Sequence, residues 1–473
     1  MSDEQGKTKK QKADERKAAR AAAEDAAASE DLERIYAHIV SRAPEHDVSP
    51  TLDRVARLLE LLGDPQRTFR AIHLTGTNGK SSTARMAERL VREHGLRTGL
   101  FTSPHLSSVT ERIQVDGEPL GAVRFVETWN DVYPYVQVVD AELEEAGQSR
   151  LNFFEVLTGL AFAAFADAPV DIAVLEVGMG GTWDTTNTAD ADVAVITPIS
   201  VDHEKWLGST PAEIAAIKAG IIKSDATAFS AVQRPEVDEV LAERAVEVGA
   251  RLLREEVDLE VVARQVAVGG QMVTLRTPLA TYTEIFVPLH GEHQAHNALL
   301  ALAAAEQALG GRALDGGAVE TAFADVSVPG RLELVRSSPT VLVDVAHNPH
   351  GAEALVAALD EAFTLRTVVG VVGLMADKDA EGLLAALEPG MSQVVLTRNS
   401  SDRSADPFAV AEIAREIFGD HRVHVTERLD EALQVATDLV ESADTVGIGH
   451  GTGMVVTGSV VTVADARLLL GRG

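Results

Sequence analysis

The sequence contains no cysteine. Disulfides, thiolate zinc sites and cysteine nucleophiles are therefore excluded. Basic residues are few beside acidic ones: 42 Lys and Arg stand against 72 Asp and Glu, a formal net charge of −30. Nucleic acid and anionic membranes need a basic partner, so neither is expected as a main ligand. No uninterrupted apolar run is long enough to span a bilayer. The first 33 residues are charged and Ala-rich and lack the apolar stretch of a signal peptide. They have little to bury and are expected to form a disordered or marginally helical tail. The chain is expected to work in the cytoplasm.

What is present is an alternation of apolar runs and helical patterns. The length, 473 residues, suggests two domains. TFRAIHL, RTGLFT, DIAVLEV and DVAVITPI read as strands, and KSSTARMAERLVREHG, NFFEVLTGLAFAAFADA and TPAEIAAIKAGIIK as helices. Strands apolar on both faces, interleaved with helices, imply an α/β fold with a mostly parallel sheet covered on both sides. Residues 251–290 turn to alternating β-type residues and suggest a small antiparallel insert or edge. Val328-Pro329-Gly330 marks a break, after which VLVDVA, VVGVVGL and QVVLT alternate with further helices. The expected division is a tail (1–33), a first α/β domain (34–328) and a smaller second one (329–473).

The segment LTGTNGKSS lies between an expected strand and an expected helix. Glycines let several backbone N–H groups converge on one phosphate. A lysine adds charge, and a hydroxyl after it can reach Mg²⁺. Gly76, Thr77, Asn78, Gly79, Lys80, Ser81 and Ser82 supply these parts. The spacing is not that of the common P-loop, because Leu74 stands where the first glycine would. Three candidate hard ligands follow other strands: Ser103, Glu176 and His203. A rim carboxylate or a structural histidine is an ordinary finding singly. Their joint placement at carboxyl ends of strands, beside a phosphate loop, is what points to a site.

The ordered set GTNGKSS, FTSPHL, ERI, FFEVLT, LEVGMGGTWDTTN, ISVDHEKWLG, IKAGIIK, GEHQAHNALLAL, PGRLE, DVAHNP, ADKD and TGS resembles folylpolyglutamate synthase/dihydrofolate synthase, among the Mur ligases. The resemblance runs from about residue 74 to about residue 467. It implies a P-loop ATPase-type domain followed by a Rossmann-like α/β domain. It implies ATP-dependent ligation of L-glutamate to dihydropteroate and to folyl-glutamates through an acyl phosphate. The implied cofactors are ATP and two Mg²⁺, and the implied assembly is a monomer.

Residue by residue, the resemblance puts the ATP phosphates on the loop 76–82, with Lys80 at the terminal ones. It puts one Mg²⁺ on Ser103 and Glu176, with a loop hydroxyl such as Ser81 within reach, and a second on Glu176, His203 and Lys218. In the family the lysine at the Lys218 position carries a carbamate. On the helix alone it reads equally as a snorkelling surface lysine. Gln294 and Asn297 would face the base, Arg331 the phosphates and Asp344 the ribose, with His347 near the reacting groups. Ser459 and Arg403 would lie near the glutamate, and Phe153 and Phe154 along the pterin pocket. Departures include Ser81 where the family has glycine, Ile217 where it has glutamate, and Val328 where it has tryptophan.

Two rivals stand beside this reading. A Mur-type ligase acting on a UDP-linked peptidoglycan precursor would carry a folded UDP-binding domain before the loop, and too few residues precede it here. A non-catalytic nucleotide switch would explain the loop but not Glu176, His203 and Lys218 together.

Overall fold

The computed structural model describes residues 26–43, 50–443 and 451–472. The first lobe runs through α1 (26–40), α2 (Asp53–Leu61), β1 (Arg70–Thr75), α3 (Lys80–Glu93), β2 (Thr98–Phe101), β3 (Ile113–Val115), β4 (Glu118–Pro119), α4 (Ala122–Glu145) and α5 (Phe153–Asp167). It continues through β5 (Ile172–Glu176), β6 (Val193–Ile196), α6 (Glu204–Leu207), α7 (Pro211–Lys218), β7 (Thr227–Ser230), α8 (Pro235–Val248) and β8 (Arg251–Arg254). The strands β9 (Glu260–Ala267), β10 (Gly270–Arg276) and β11 (Thr281–Val287) then lead to α9 (Glu292–Ala308) and α10 (Gly316–Ala324). The second lobe holds β12 (Glu333–Ser337), β13 (Thr340–Val343), α11 (Pro349–Ala362), β14 (Thr367–Val372), α12 (Ala380–Leu387) and β15 (Gln393–Leu396). It closes with α13 (Pro407–Phe418), β16 (Val423–Val425), α14 (Leu429–Ala443), β17 (Thr452–Thr457) and α15 (Val460–Leu469).

The first lobe is built on an eight-stranded sheet of order β4-β3-β2-β5-β1-β6-β7-β8. From β2 to β8 all neighbours are parallel, and β3 and β4 add an antiparallel edge. β1 and β5 are the central pair, and their residues are almost wholly buried. One face is covered by α3, α9 and α10, the other by α2, α4 and α5. The second lobe has a six-stranded sheet of order β12-β13-β17-β14-β15-β16, parallel except at β12. Its core lies on both faces of that sheet. No described helix is long and apolar enough to cross a membrane.

Local chemistry sets the helix starts. Asn152 accepts from Glu155 N while the Glu155 carboxylate accepts from Asn152 N, a reciprocal cap that starts α5. Thr210 and Glu213 repeat the device at α7, with Pro211 in the first turn. Gly79 sits at φ +91 immediately before α3, a conformation that glycine adopts without strain.

Two expectations need correction. The expected tail overlaps α1 at residues 26–33, which take the helical alternative and are packed rather than free of burial; residues 1–25 lie outside the described residues. The reason is burial: Ala28, Ile35 and Ile39 are covered, and Leu32 and Tyr36 pack on the same cluster. Residues 251–254 are also not part of the insert. They form β8, parallel to β7 at the edge of the main sheet. The antiparallel insert is β9 to β11. The expected junction at Val328 falls between α10 and β12.

The insert holds α9 in place. Tyr282 on β11 donates to buried Glu306 on α9 (2.7 Å) and accepts from Leu314 N (2.7 Å). Tyr282→Phe leaves Leu314 N without its partner and removes one of the hydrogen bonds to Glu306. The expected loss is about 1–3 kcal/mol of stability, read by denaturant unfolding; an unchanged midpoint would mean that these bonds do not hold the helix.

Candidate active site

The carboxyl ends of β1, β2, β5, β6, β7 and β8 open into a cleft of about 1610 Å³ that also takes residues from the second lobe. The phosphate loop is its floor. Gly76 lies at φ +148, and a Cβ there would meet Thr197 Oγ1 at 1.9 Å. Position 76 therefore admits only glycine. At Gly79 a Cβ would stand 2.5 Å from Asn297 Oδ1, so α9 closes on the loop from above. Thr77 Oγ1 donates to Ser200 O (2.9 Å), tying the loop to the segment after β6. Free N–H groups at the start of α3 and the helix dipole favour an anion at this point.

Charges converge around the loop. Lys80 Nζ donates to the carbonyls of Gly76 and Thr77, both at 3.1 Å. Lys218 is buried at the end of α7, and its Nζ donates to the same Gly76 carbonyl at 2.7 Å. Burial first, and Lys80 second, pull the Lys218 ammonium down to about 7. Glu176 ends β5 and is 1% exposed. Its Oε1 accepts from Ser81 Oγ (2.8 Å) and its Oε2 from Ser103 N (3.2 Å). Burial raises the Glu176 carboxyl, and Lys80 and the Ser81 hydrogen bond offset part of this.

The second lobe meets this floor at Asp202. Lys378 Nζ stands 2.5 Å from Asp202 Oδ1, and His347 Nε2 is 3.4 Å from Oδ2. Asn348 Nδ2 donates to Oδ2 at 3.4 Å. Burial would raise this carboxyl, but the His347 hydrogen bond and the charges of His203, Lys378 and His347 hold it well below the usual range. Asn348 also forms a reciprocal amide pair with Asn78 of the loop, at 3.0 and 3.1 Å. The loop and α11 are thus joined directly.

All the nucleotide and metal candidates line the cleft: residues 76–82, Ser103, Glu176, His203, Lys218, Gln294, Asn297, Arg331, Asp344 and His347. Gln294 and Asn297 are buried and hydrogen-bonded to each other at 3.0 Å. Asp344 accepts from Leu332 N and Ala346 N, both at 2.8 Å, and faces the Arg331 charge. Ser459 lines the cleft and caps α15, accepting from Thr462 N. Arg403 lines it too, paired with Asp377 at 2.7 Å. Phe154 reaches the cleft, stacked on Phe101. Phe153 does not: it packs in the core, with the Arg112 guanidinium 5.0 Å from its ring centroid. The pterin expectation at Phe153 is therefore corrected to a supporting place.

Five residues escaped the sequence reading. Asp202 and Lys378 lie in quoted motifs, VDHE and ADKD, but only the fold brings them together. Tyr36, His105 and Arg112 form a chain along one arm, with Arg112 Nε donating to His105 Nδ1 (2.8 Å) and His105 Nε2 3.3 Å from Tyr36 Oη. The ERI motif was the signal for Arg112.

Among the described residues no three His, Asp or Glu side chains gather as a metal cage. A buried carboxylate and a hydroxyl beside a phosphate loop still fit Mg²⁺, which takes few protein oxygens and completes its shell with phosphate and water.

A strand-ended cleft with a phosphate loop, shared by two α/β lobes, defines a ligase of the Mur type. The model of the Mur ligase middle domain matches residues 74–305, and that of the Mur ligase glutamate ligase domain residues 330–449. The chain is 49% identical over 448 residues to dihydrofolate synthase/folylpolyglutamate synthase of Mycobacterium tuberculosis, covering 91% of this chain and 92% of that one. The M. tuberculosis folylpolyglutamate synthase crystallised with ADP and AMPPCP superposes with a TM-score of 0.89 at 48% identity, over 95% of this chain and 99% of that one. E. coli FolC in complex with DHPP and ADP gives 0.79 at 28% identity, over 93% and 97%. The chain belongs to the dihydrofolate synthase/folylpolyglutamate synthase family and is an ATP-dependent ligase.

Asp202→Ala removes the partner of a largely buried Lys378 ammonium. An uncompensated charge of this kind costs several kcal/mol. The expected result is a fall in kcat/KM of about a hundredfold or more with circular dichroism unchanged. A variant as active as the parent would show that this contact plays no part in turnover.

Proposed function

We propose that the protein joins L-glutamate to the carboxylate of a pterin-derived acceptor, dihydropteroate to give dihydrofolate and folyl-glutamates to lengthen the polyglutamate tail. One observation carries this reading. A single cleft joins the phosphate loop to an arm lined by Tyr36, His105, Arg112 and Phe154, and to second-lobe residues Arg403 and Ser459. An aromatic arm suits a pterin, and the cationic and capping groups opposite suit an amino acid with two carboxylates. The family membership and the M. tuberculosis and E. coli relatives support it. A UDP-linked peptidoglycan acceptor is not favoured, because the match to the folate branch extends over nine-tenths of the chain.

A carboxylate is a poor electrophile and must be activated first. One of its oxygens attacks the γ-phosphorus, the bond to the β–γ bridging oxygen breaks, and ADP leaves. The glutamate nitrogen then attacks the acyl carbon, the bond to the phosphate oxygen breaks, and the amine gives up a proton. Gly76 to Ser82 hold the phosphates, and Lys80 balances charge gathering on the transferring group. Arg331 adds a second cation from the other lobe, facing Asp344 and Glu176. Gln294 and Asn297 bear on the nucleoside, and Asp344 takes the ribose. The Asp202 contacts bring the lobes together, which excludes water from the acyl phosphate.

Mg²⁺ would be held by Ser81, Ser103 and Glu176, and a second ion by Glu176, His203 and Lys218; bound there, it would offset the charge of the phosphate oxygens. An ammonium cannot ligate a cation, but Lys218 carrying a carbamate can. Its buried, depressed amine suits addition of CO₂ to the neutral form, with release of one proton.

Incubation with isotope-labelled bicarbonate is expected to give a carbamate NMR signal that Lys218→Ala abolishes; a spectrum without it would remove the carbamate. Glu176→Ala is expected to fold but lose ligation, and full activity there would remove the magnesium assignment. The function itself is tested by ADP release with Mg²⁺, ATP and glutamate, with either dihydropteroate or tetrahydrofolate as acceptor, and mass spectrometry of products. Turnover with both supports the dual activity. No glutamylated product from either would overturn the proposal.

A further inference from the structure

The strands β17, β14 and β15 are parallel neighbours in the second-lobe sheet, so the loops after them lie side by side at its carboxyl ends. Each loop gives the cleft a polar side chain: Lys378 after β14, Arg403 after β15 and Ser459 after β17. Behind this wall lies Asn399, which is buried and does not itself line the cleft. Its Oδ1 accepts from Ser401 N at 3.0 Å, which fixes the orientation of the amide. Its Nδ2 therefore faces two hydroxyls and donates to Ser459 Oγ and to Thr462 Oγ1, both at 3.1 Å. The Asn399 N–H donates to Ser404 Oγ at 3.1 Å, and Thr462 Oγ1 donates to Gly373 O at 2.8 Å. One residue thereby ties all three loops together.

These bonds decide what Ser459 can offer. A hydroxyl has two lone pairs and one hydrogen. Ser459 Oγ accepts from Asn399 Nδ2 and from Thr462 N (3.0 Å), which occupies both lone pairs. The Thr462 hydrogen goes to Gly373 O, so Thr462 Oγ1, 2.8 Å from Ser459 Oγ, can only accept from it. Ser459 is left with its hydrogen alone. A carboxylate accepts such a bond, whereas an ammonium group has only hydrogens of its own.

We propose that Asn399 is a positioning residue for the incoming amino acid: it holds Ser459, beside Arg403, as a hydrogen donor to a carboxylate of that amino acid. The amine, which finds no acceptor at Ser459, is left to face the acyl phosphate on the first-lobe side. Asn399 touches no substrate and acts through Ser459. The proposal rests on the reading that glutamate binds at the second-lobe wall, and it is independent of which pterin acceptor is used.

The test is steady-state kinetics of the whole chain with glutamate varied, at saturating ATP and whichever of dihydropteroate and tetrahydrofolate the parent turns over. The variants are Asn399→Asp, Asn399→Ala, Ser459→Ala and the double variant Asn399→Ala with Ser459→Ala. Asn399→Asp keeps the shape but puts an acceptor where the donor stood, which draws the Ser459 hydrogen onto it. Glutamate KM is expected to rise about tenfold in Asn399→Asp, with the KM for ATP unchanged and kcat within about threefold of the parent. The two alanine variants are each expected to raise glutamate KM, and the double variant no further than the larger of them, as for residues that act as a unit. Glutamate KM of Asn399→Asp within about twofold of the parent would overturn the proposal. So would additive effects in the double variant, or a shift of all the KM values alike, which would mark a structural role only. If circular dichroism shows that Asn399→Asp does not fold, the alanine variants decide by the same comparison. Unchanged glutamate KM in Ser459→Ala would overturn the proposal by a different route, removing the glutamate reading on which it stands.

Discussion

Lys218, which is buried, and Lys80, which is half-buried, share one acceptor, the carbonyl of Gly76. The geometry is possible only because residue 76 is glycine, turned to φ +148 against Thr197 where no side chain fits. Lys80 starts the helix that follows the loop, and Lys218 arrives from the end of α7, which packs against the segment after β5. Two ammonium groups at one oxygen repel each other, and burial deprives both of water. The structure answers with anions: Glu176 and Asp202 both raise the Lys80 pKa against its desolvation. Lys218 yields instead, falling to about 7, and is the member of the pair that can lose its charge or, as a carbamate, invert it.

The same balance explains why the lobes meet where they do. A lone Asp202 carboxylate beside the loop would be a buried anion without enough partners. Lys378, His347 and Asn348 of the second lobe supply them. The reciprocal amide pair of Asn78 and Asn348 fixes the start of α11 to the loop. Near the end of α11, Glu361 is held by both guanidinium nitrogens of Arg264 on β9, and Arg264 Nε is bonded to Gln271. Gln271 in turn donates to the carbonyl of Gly291, immediately before α9. One helix of the second lobe is therefore gripped at both ends by the first. Its position is mechanically tied to the loop and to the helix bearing Gln294 and Asn297.

Much of this was legible in the sequence, for identifiable reasons. The strands β1, β5 and β6 are buried on both faces, so their apolar runs stand out without context. Gly76, Gly79 and Lys80 are adjacent in the chain and act together, so their spacing carries the chemistry. Glu176 and Ser103 were readable because each ends or follows a strand. The partners of Asp202 were not, because Lys378 is 176 residues distant and no local pattern joins them. Phe153 and Phe154 are neighbours in one helix, and sequence alone does not say which ring faces the cleft and which supports Arg112. Residues 26–33 looked unable to bury anything because their few apolar positions are separated by charge. Helical spacing nevertheless brings Ala28, Leu32 and Ile35 to one side.

The division of the cleft follows from the strand order. A parallel sheet places loops from neighbouring strands side by side, and the chain reverses direction of travel around β1. Elements to one side, β5 and β2, carry the oxygen-rich groups and lead to the aromatic arm. Elements to the other, β6 to β8, carry Asp202 and His203 and lead to His296 and Glu255. A substrate bridging both arms must pass its phosphates over Gly76, because the loop is the floor between them. The second lobe then closes over that crossing point through Asn348 and Lys378. Binding at the two arms and docking of the lobe thus act on the same few atoms. An acyl phosphate formed there would lie beneath the lobe contact, where water has least access and an incoming amine from the second lobe has the shortest approach.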